Sequence, residues 1–378
     1  MTALFFYGSL RHVPLLEIVL GRSADRIDMQ PARLEGHRVF AAAEGPFPIL
    51  IPHRGGVAEG LLVQGLTAED IARLDFYEAG FDFDLRGVTL SDGQGALVYF
   101  PADGRWTPAH PWSLAEWEDR YAALSTRAAV EVMSHLGRKT PAEIAGMFGM
   151  IRSRAAATLN AGRSRHGAGT LEGRVDIRRR ERVYANYFAL DEFDLSHEKF
   201  DGTMSDVVER AVFVATDAAL VLPYDPVRDR VLLVEQMRMG PLGRGDRAVW
   251  QLAPIAGRVD GGETPEQAAR REAAEEAGLT LQTLEPVAEV YASPGDSTEF
   301  FYIYVGIADL PDRAAGTGGL DEEHEDIRSH LMSFDDLLAL CDARAAANAP
   351  LALAGYWLAR HRERLRLAGG AATPEATR

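Results

Sequence analysis

Cysteine is almost missing from this chain: Cys341 is the single one in 378 residues. One thiol closes no intrachain disulfide and builds no zinc–thiolate site, so a reducing, cytoplasmic setting is expected. Long hydrophobic runs are missing too. The start, MTALFFYGSLRHVP, has no basic region ahead of its short apolar run, and no stretch approaches the length of a membrane span. Positive charge is in deficit, with 40 Lys and Arg against 56 Asp and Glu, a formal charge of −16. That excess of acid speaks against nucleic acid or an anionic membrane as the main partner. The chain also lacks a GxSxG nucleophile elbow, an HExxH pair and a GxxxxGK[ST] loop, and its ten histidines show no ligand spacing.

What is present is a soluble-type composition, 47% hydrophobic and 25% charged, in a chain long enough for two or three domains. The first hundred residues alternate apolar runs with Gly/Pro turns, as in ALFFYGSL and GVTLSDGQGALVYFP, and read as β-rich. One short helix is expected at TAEDIARLDFYEAG, capped by Thr67 and Asp70 and stopped at Gly80. Two longer helices follow, one opening on Ser113 and Glu116 and one on Thr140, Pro141 and Glu143. Strands return beyond the Gly/Ser/Arg-rich AGRSRHGAGTLEG. There the arginine cluster Arg178–Arg182 reads as a solvated strand with local salt bridges. AVFVATDAALVLPYD and VLLVEQMRMG flank a DPVRDR turn and read as a buried hairpin, and LALAGYWLARHRERLRL is an amphipathic helix. The expected layout is α+β: residues 1–110 a β-rich domain, 111–162 a helical connector, 163–172 a linker, 173–368 a second domain and 369–378 a frayed tail.

The stretch GRVDGGETPEQAARREAAEEAGL, Gly257 to Leu279, poses a physical problem. Thr264, Pro265, Gln267 and Gly278 are the cap residues of a helix over about 265–277. That helix sets Glu272, Glu275 and Glu276 in one sector, where carboxylates repel. Alanines fill much of the remainder and permit close packing on a sheet. A hard divalent cation, Mg²⁺ or Mn²⁺, turns that repulsion into coordination and commonly bridges to phosphates.

Gly257, Glu263, Arg271, Glu272, Glu275, Glu276, Gly278 and Leu279 fall on every fixed position of G-x5-E-x7-R-E-U-x-E-E-x-G-U, and the segment resembles the Nudix box. The resemblance implies a mixed sheet sandwiched between helices and hydrolysis of a nucleoside diphosphate linked to another moiety. VYANYFALDEF, FDGTMSDVVER, WQLAPIAG, ASPGDSTEF and EEHEDIRSH extend it over roughly 171–368, toward the ADP-ribose pyrophosphatase branch with its tellurite-resistance-type relatives. It implies that Tyr187 stacks on adenine, that Arg210, Arg238 and Glu299 contact substrate, and that Glu323 is the base. Metal would sit on Glu272, Glu276, Glu325 and the Ala256 carbonyl, with Glu275 beside them. Gly257, Glu263, Arg271 and Gly278 would shape the motif. ADP-ribose or an ADP-sugar is the implied substrate, and a homodimer the implied assembly. Two departures touch the sugar preference: QLAPIAG replaces a glutamate-containing LE-x-x-AG, and Asp296 stands where glycine is familiar.

FFYGSLR, GVAEGLLVQGL and LDFYEAG together resemble the γ-glutamylcyclotransferase-like family over roughly 3–105, implying a β-barrel with short helices. The turn Tyr7, Gly8, Ser9, Leu10 would then present N–H groups to a γ-glutamyl carboxylate, and Glu78 would act as general acid/base. Two other readings stand beside the diphosphatase. One puts the main chemistry in this first domain, and the other makes the second domain a sensor of ADP-ribose that does not cleave it.

Overall fold

The computed structural model describes residues 2–78, 83–163, 169, 171–319 and 325–371. Gly80, Glu323, residues 164–168 and 170 of the expected linker, and 372–378 of the expected tail lie outside the described residues. The chain divides into two compact units, Met1–Arg163 and Ser164–Arg378.

The first unit runs β1 (Thr2–Phe6), α1 (Val13–Leu20), β2 (Asp28–Ala42), β3 (Pro48–Leu66), α2 (Ala68–Glu78), β4 (Phe83–Thr89), β5 (Gly95–Pro101), β6 (Pro108–Pro111), α3 (Leu114–Ser134) and α4 (Pro141–Arg163). Its sheet, ordered β4-β5-β1-β3-β2-β6, curls as a half-barrel. The two-residue period of β1 decides what each face covers. Leu4 and Phe6 pack with Leu15, Leu16 and Val19 of α1 and Trp117 and Ala129 of α3. Phe5 and Tyr7 pack on the other face with Leu50, Leu62 and Val98. At the start of α2 the Asp70 carboxylate accepts from Thr67 N–H and Oγ at 2.8 Å, closing the expected cap. The helices expected as a connector are not one. Both α3 and α4 fall inside the first unit, and α3 supplies part of its core. Their apolar positions require partner surfaces: α3 packs into the core with α1 and β1, and α4 packs on α3.

The second unit opens with a three-stranded sheet, β7 (Val175–Ala185), β8 (Ala189–His197) and β9 (Val208–Val214). Arg179 pairs with Asp194, and Arg180 and Arg182 both pair with Asp191, each at 2.7 Å, so three arginines of the cluster are consumed locally. Then come β10 (Asp217–Asp225), β11 (Arg230–Met237), α5 (Met239–Arg244), β12 (Trp250–Ala253), β13 (Ile255–Arg258), α6 (Pro265–Ala277), β14 (Thr283–Tyr291), β15 (Phe300–Ile307), β16 (Gly316–Gly318), β17 (Ile327–Ser333), α7 (Phe334–Asp342) and α8 (Ala349–Ala371). The main sheet is ordered β14-β15-β10-β11-β17-β16, with β12 on β11 and β13 on β10. It is mixed, because β10 runs parallel to β15 and antiparallel to β11 and β13.

Strands β10 and β11 are apolar at successive positions because both faces are covered. Ala219, Val221, Leu232 and Val234 meet Ala268, Ala269 and Ala273 of α6. The alternate residues Leu220, Leu222, Leu233 and Tyr224 meet Phe334 and Leu337 of α7 and Leu351 and Leu358 of α8. The result is a helix–sheet–helix sandwich. Helix α6 starts on a complete capping box between Thr264 and Gln267, has Pro265 in its first turn, and ends on Gly278 at φ +62°, a left-handed conformation that glycine adopts without strain. No helix among the described residues is long and apolar enough to cross a membrane.

Candidate functional site

The alanine face that seats α6 on the sheet also carries Glu276 inward, and the carboxylate is only 2% exposed. Its Oε2 is buried without a hydrogen-bond partner. Burial, reinforced by repulsion from Glu272 and Glu325, pushes its pKa up to about 8, against the pull of Arg238 and of the Ala256 N–H. Glu272 lies against β13 at Gly257, where an added Cβ would stand 1.7 Å from Glu272 Oε1. Glycine is therefore required there for close approach. Burial raises the pKa of Glu272 as well.

Arg271 is the hub of the acidic turn. It donates to Glu263 at 2.8 Å, Glu272 at 2.6 Å and Glu275 at 3.0 Å, and to the Arg258 carbonyl at 3.1 Å. Glu263 also accepts from the Asp260 N–H at 2.8 Å and so ties the glycine-rich loop to the helix.

A cleft of about 620 Å³ opens above this turn. Tyr187, Arg238, Ala256, Gly257, Glu272, Glu275, Glu299 and Glu325 all line it, so residues far apart in sequence meet in one place. Arg238 caps the start of α5, and burial lowers its pKa despite the attraction of Glu276 and Glu325. Burial raises that of Glu299. Arg210 does not line this cleft. It is exposed on β9, and its Nη1 donates to the neighbouring Glu209 carbonyl at 2.7 Å. Arg258 and Asp260 do line it, and sequence reasoning missed both. They occupy unconstrained positions of the motif, and no spacing signal marks them.

Among the described residues no three His, Cys, Asp or Glu side chains stand ready to hold a metal ion. Arg271 draws Glu272 and Glu275 to itself. The residues nevertheless fit a hard divalent cation. A buried carboxylate oxygen without a partner, two more carboxylates within the same turn of helix and an oxygen-only donor set are what Mg²⁺ or Mn²⁺ takes.

The first unit holds its own cavity of about 300 Å³. Tyr7, Gly8, Ser9 and Leu10 line it from the end of β1, and Glu78 lines it from the end of α2. The N–H groups of Ser9 and Leu10 donate to no acceptor among the described residues. Rings of Phe47, Trp106, Trp117 and Phe148 make much of the wall, so α3 and α4 both contribute to it. Glu78 is half-buried, and burial pushes its pKa up to about 8. Below the ordinary carboxyl value the group is neutral in both states and costs nothing. Between that value and about 8 the unfolded chain has given up the proton while the folded unit still holds it, so stability falls across this window and the loss is complete once pH passes about 8. Glu78→Gln should remove that loss, giving a first unit more stable by about 2 kcal/mol at pH 9 and unchanged at pH 4, read by urea unfolding at both pH values.

The model of the NUDIX domain matches residues 214–353. That of the family described as gamma-glutamyl cyclotransferase, AIG2-like, matches residues 4–119. An ADP-ribose pyrophosphatase of Escherichia coli (strain K12) is 40% identical over 192 residues, 51% of this chain and 91% of that protein. One of Haemophilus influenzae is 38% identical over 160 residues, 42% of this chain and 73% of that protein. A GDP-mannose pyrophosphatase of Cronobacter sakazakii is 32% identical over 155 residues, 40% of this chain and 78% of that protein.

Proposed function

The chain belongs to the Nudix family, and on that premise we propose that it hydrolyses the diphosphate bond of ADP-ribose, or of a related ADP-sugar, to AMP and the sugar phosphate. The observation that carries the reading is Glu276, a buried carboxylate with one oxygen left without a partner. It does not itself line the cleft but stands on α6 beside Glu272 and Glu275, which do, together with Arg238 and Tyr187. A non-cleaving sensor has no need of that costly group.

Glu272 and Glu276, with the Ala256 carbonyl, Glu275 and Glu325, would hold the cation. When bound, Mg²⁺ or Mn²⁺ supplies positive charge against the diphosphate and makes water a better nucleophile at neutral pH. Arg238, half-buried beside Glu276 and Glu325, gives the diphosphate a cation that water screens less than it would at an open surface. Tyr187 offers its ring to the adenine. Glu299, whose carboxyl binds protons more readily than usual, hydrogen-bonds the substrate. The resemblance assigns Glu323 the removal of a proton from the attacking water. As that water adds to one phosphorus, the bridging P–O bond breaks, and the other phosphate leaves with the bridging oxygen.

A homodimer of cytoplasmic protein completes the proposal. Ile177 and Tyr184 on β7, 57% and 56% exposed, leave apolar surface for a second copy. Arg210 lies on the same small sheet, where it would serve a neighbouring protomer. The direct test is a panel of ADP-ribose, ADP-glucose and GDP-mannose with Mg²⁺. ADP-ribose should turn over fastest, EDTA should reduce activity to background, and excess Mg²⁺ should restore it. Turnover that persists in EDTA would remove the metal reading.

The Glu78 cavity supports a second activity, cyclisation of a γ-glutamyl amine to 5-oxoproline. The amine attacks no metal-bound group in that reaction, so 5-oxoproline should form in EDTA and cease in Glu78→Gln.

A further inference from the structure

Arg258 follows Gly257 on β13 and reaches into the cleft. Its backbone is anchored by Arg271, which donates to its carbonyl. Its guanidinium lies 5.4 Å from the centre of the Tyr187 ring, and its Nη1 donates to the phenol oxygen at 2.6 Å. Asp260, Glu272, Glu275, Glu299 and Glu325 line the same cleft, yet Arg258 forms no ion pair with any carboxylate among the described residues. Its Nε is buried without a hydrogen-bond partner.

A guanidinium is the side chain best shaped to take a carboxylate in a two-point grip. Held among acids, Arg258 spends one donor on the Tyr187 phenol and leaves its buried Nε unused, so much of its hydrogen-bonding capacity is unspent by the fold. An anionic ligand with two acceptor oxygens accounts for the arrangement.

We propose that Arg258 is a specificity-determining residue that binds phosphoryl oxygen of the substrate diphosphate, with Tyr187 as the rest that keeps it away from the glutamates. The proposal builds on the diphosphatase reading and adds a second cation beside Arg238. Such a residue makes the cleft distinguish a diphosphate from a nucleoside that carries the same base.

Equilibrium binding in EDTA, where nothing turns over, tests it with ADP-ribose, adenosine and inorganic pyrophosphate as probes. Arg258→Gln should weaken ADP-ribose and pyrophosphate about tenfold or more and leave adenosine unchanged, and Arg258→Lys should recover part of the loss. With Mg²⁺ restored, KM for ADP-ribose should rise by a similar factor while kcat stays within about twofold. Equal weakening of adenosine and ADP-ribose would make Arg258 a prop for the ring, and unchanged affinity for both anions would remove it from substrate contact. Either result overturns the proposal. A wild type that binds pyrophosphate but neither binds nor hydrolyses ADP-ribose would refute the substrate reading, while its pyrophosphate affinity against that of Arg258→Gln still decides Arg258. A wild type that binds neither anion in EDTA overturns the Arg258 proposal, and one that also leaves ADP-ribose intact with Mg²⁺ restored overturns both.

Discussion

Glu276→Gln should abolish the uptake of Mg²⁺ measured by calorimetry in the presence of nucleotide and lower turnover of ADP-ribose by about a thousandfold or more. The side chain is buried on the face of α6 that meets the sheet, and glutamine fills the same volume. Its amide oxygen can still accept from the Ala256 N–H, so the local backbone keeps its partner. What disappears is a negative charge held in a poor solvent for charge. The metal-free variant should therefore melt no lower than the metal-free wild type. The gap should widen as pH rises from the ordinary carboxyl range to about 8 and level off above it, because over that window the unfolded wild type ionises Glu276 while the fold resists doing so, and glutamine has nothing to ionise. A variant that melts higher and is catalytically dead separates a functional carboxylate from a structural one. Wild-type turnover in Glu276→Gln would refute the metal assignment.

Gly257→Ala should cost about a hundredfold in kcat with a much smaller change in melting temperature. The new methyl would fall 1.7 Å from Glu272 Oε1 and 1.9 Å from its Cδ, so one of the two must move. Strand β13 cannot readily withdraw, since it is laddered to β10 with Gly257 opposite Ala219. The carboxylate yields instead and swings toward the cleft, which is open. Packing on the far side of the sheet is untouched, so the fold survives while the donor is misplaced. Steady-state kinetics beside a thermal melt read both effects, and an alanine variant with near-normal kcat would show that Glu272 need not lie against the strand.

The parts of this protein that were legible in its sequence are those set by short-range chemistry. Thr264, Pro265, Gln267 and Gly278 each satisfy or terminate a particular turn of α6, so the helix ends were readable from four residues. Strands β10 and β11 announced themselves by continuous apolar runs, since a sheet covered on both faces leaves no alternation. What escaped depends on partners distant in the chain. The apolar stripes of α3 and α4 say that something must be covered, not that it is the wall of the Glu78 cavity. Arg258 has a long side chain whose destination is fixed by a tyrosine 71 positions earlier. Arg210 matched a motif, but a motif cannot say whether a single protomer brings it to the cleft, and here it does not.

Arg271 carries a further meaning for the life of the polypeptide. Glu263, Glu272 and Glu275 already share an internal counter-charge, so the acidic turn can set without waiting for an ion. Folding of this turn thus needs no outside charge, and any divalent cation that bound there would have to compete with Arg271 for Glu272 and Glu275.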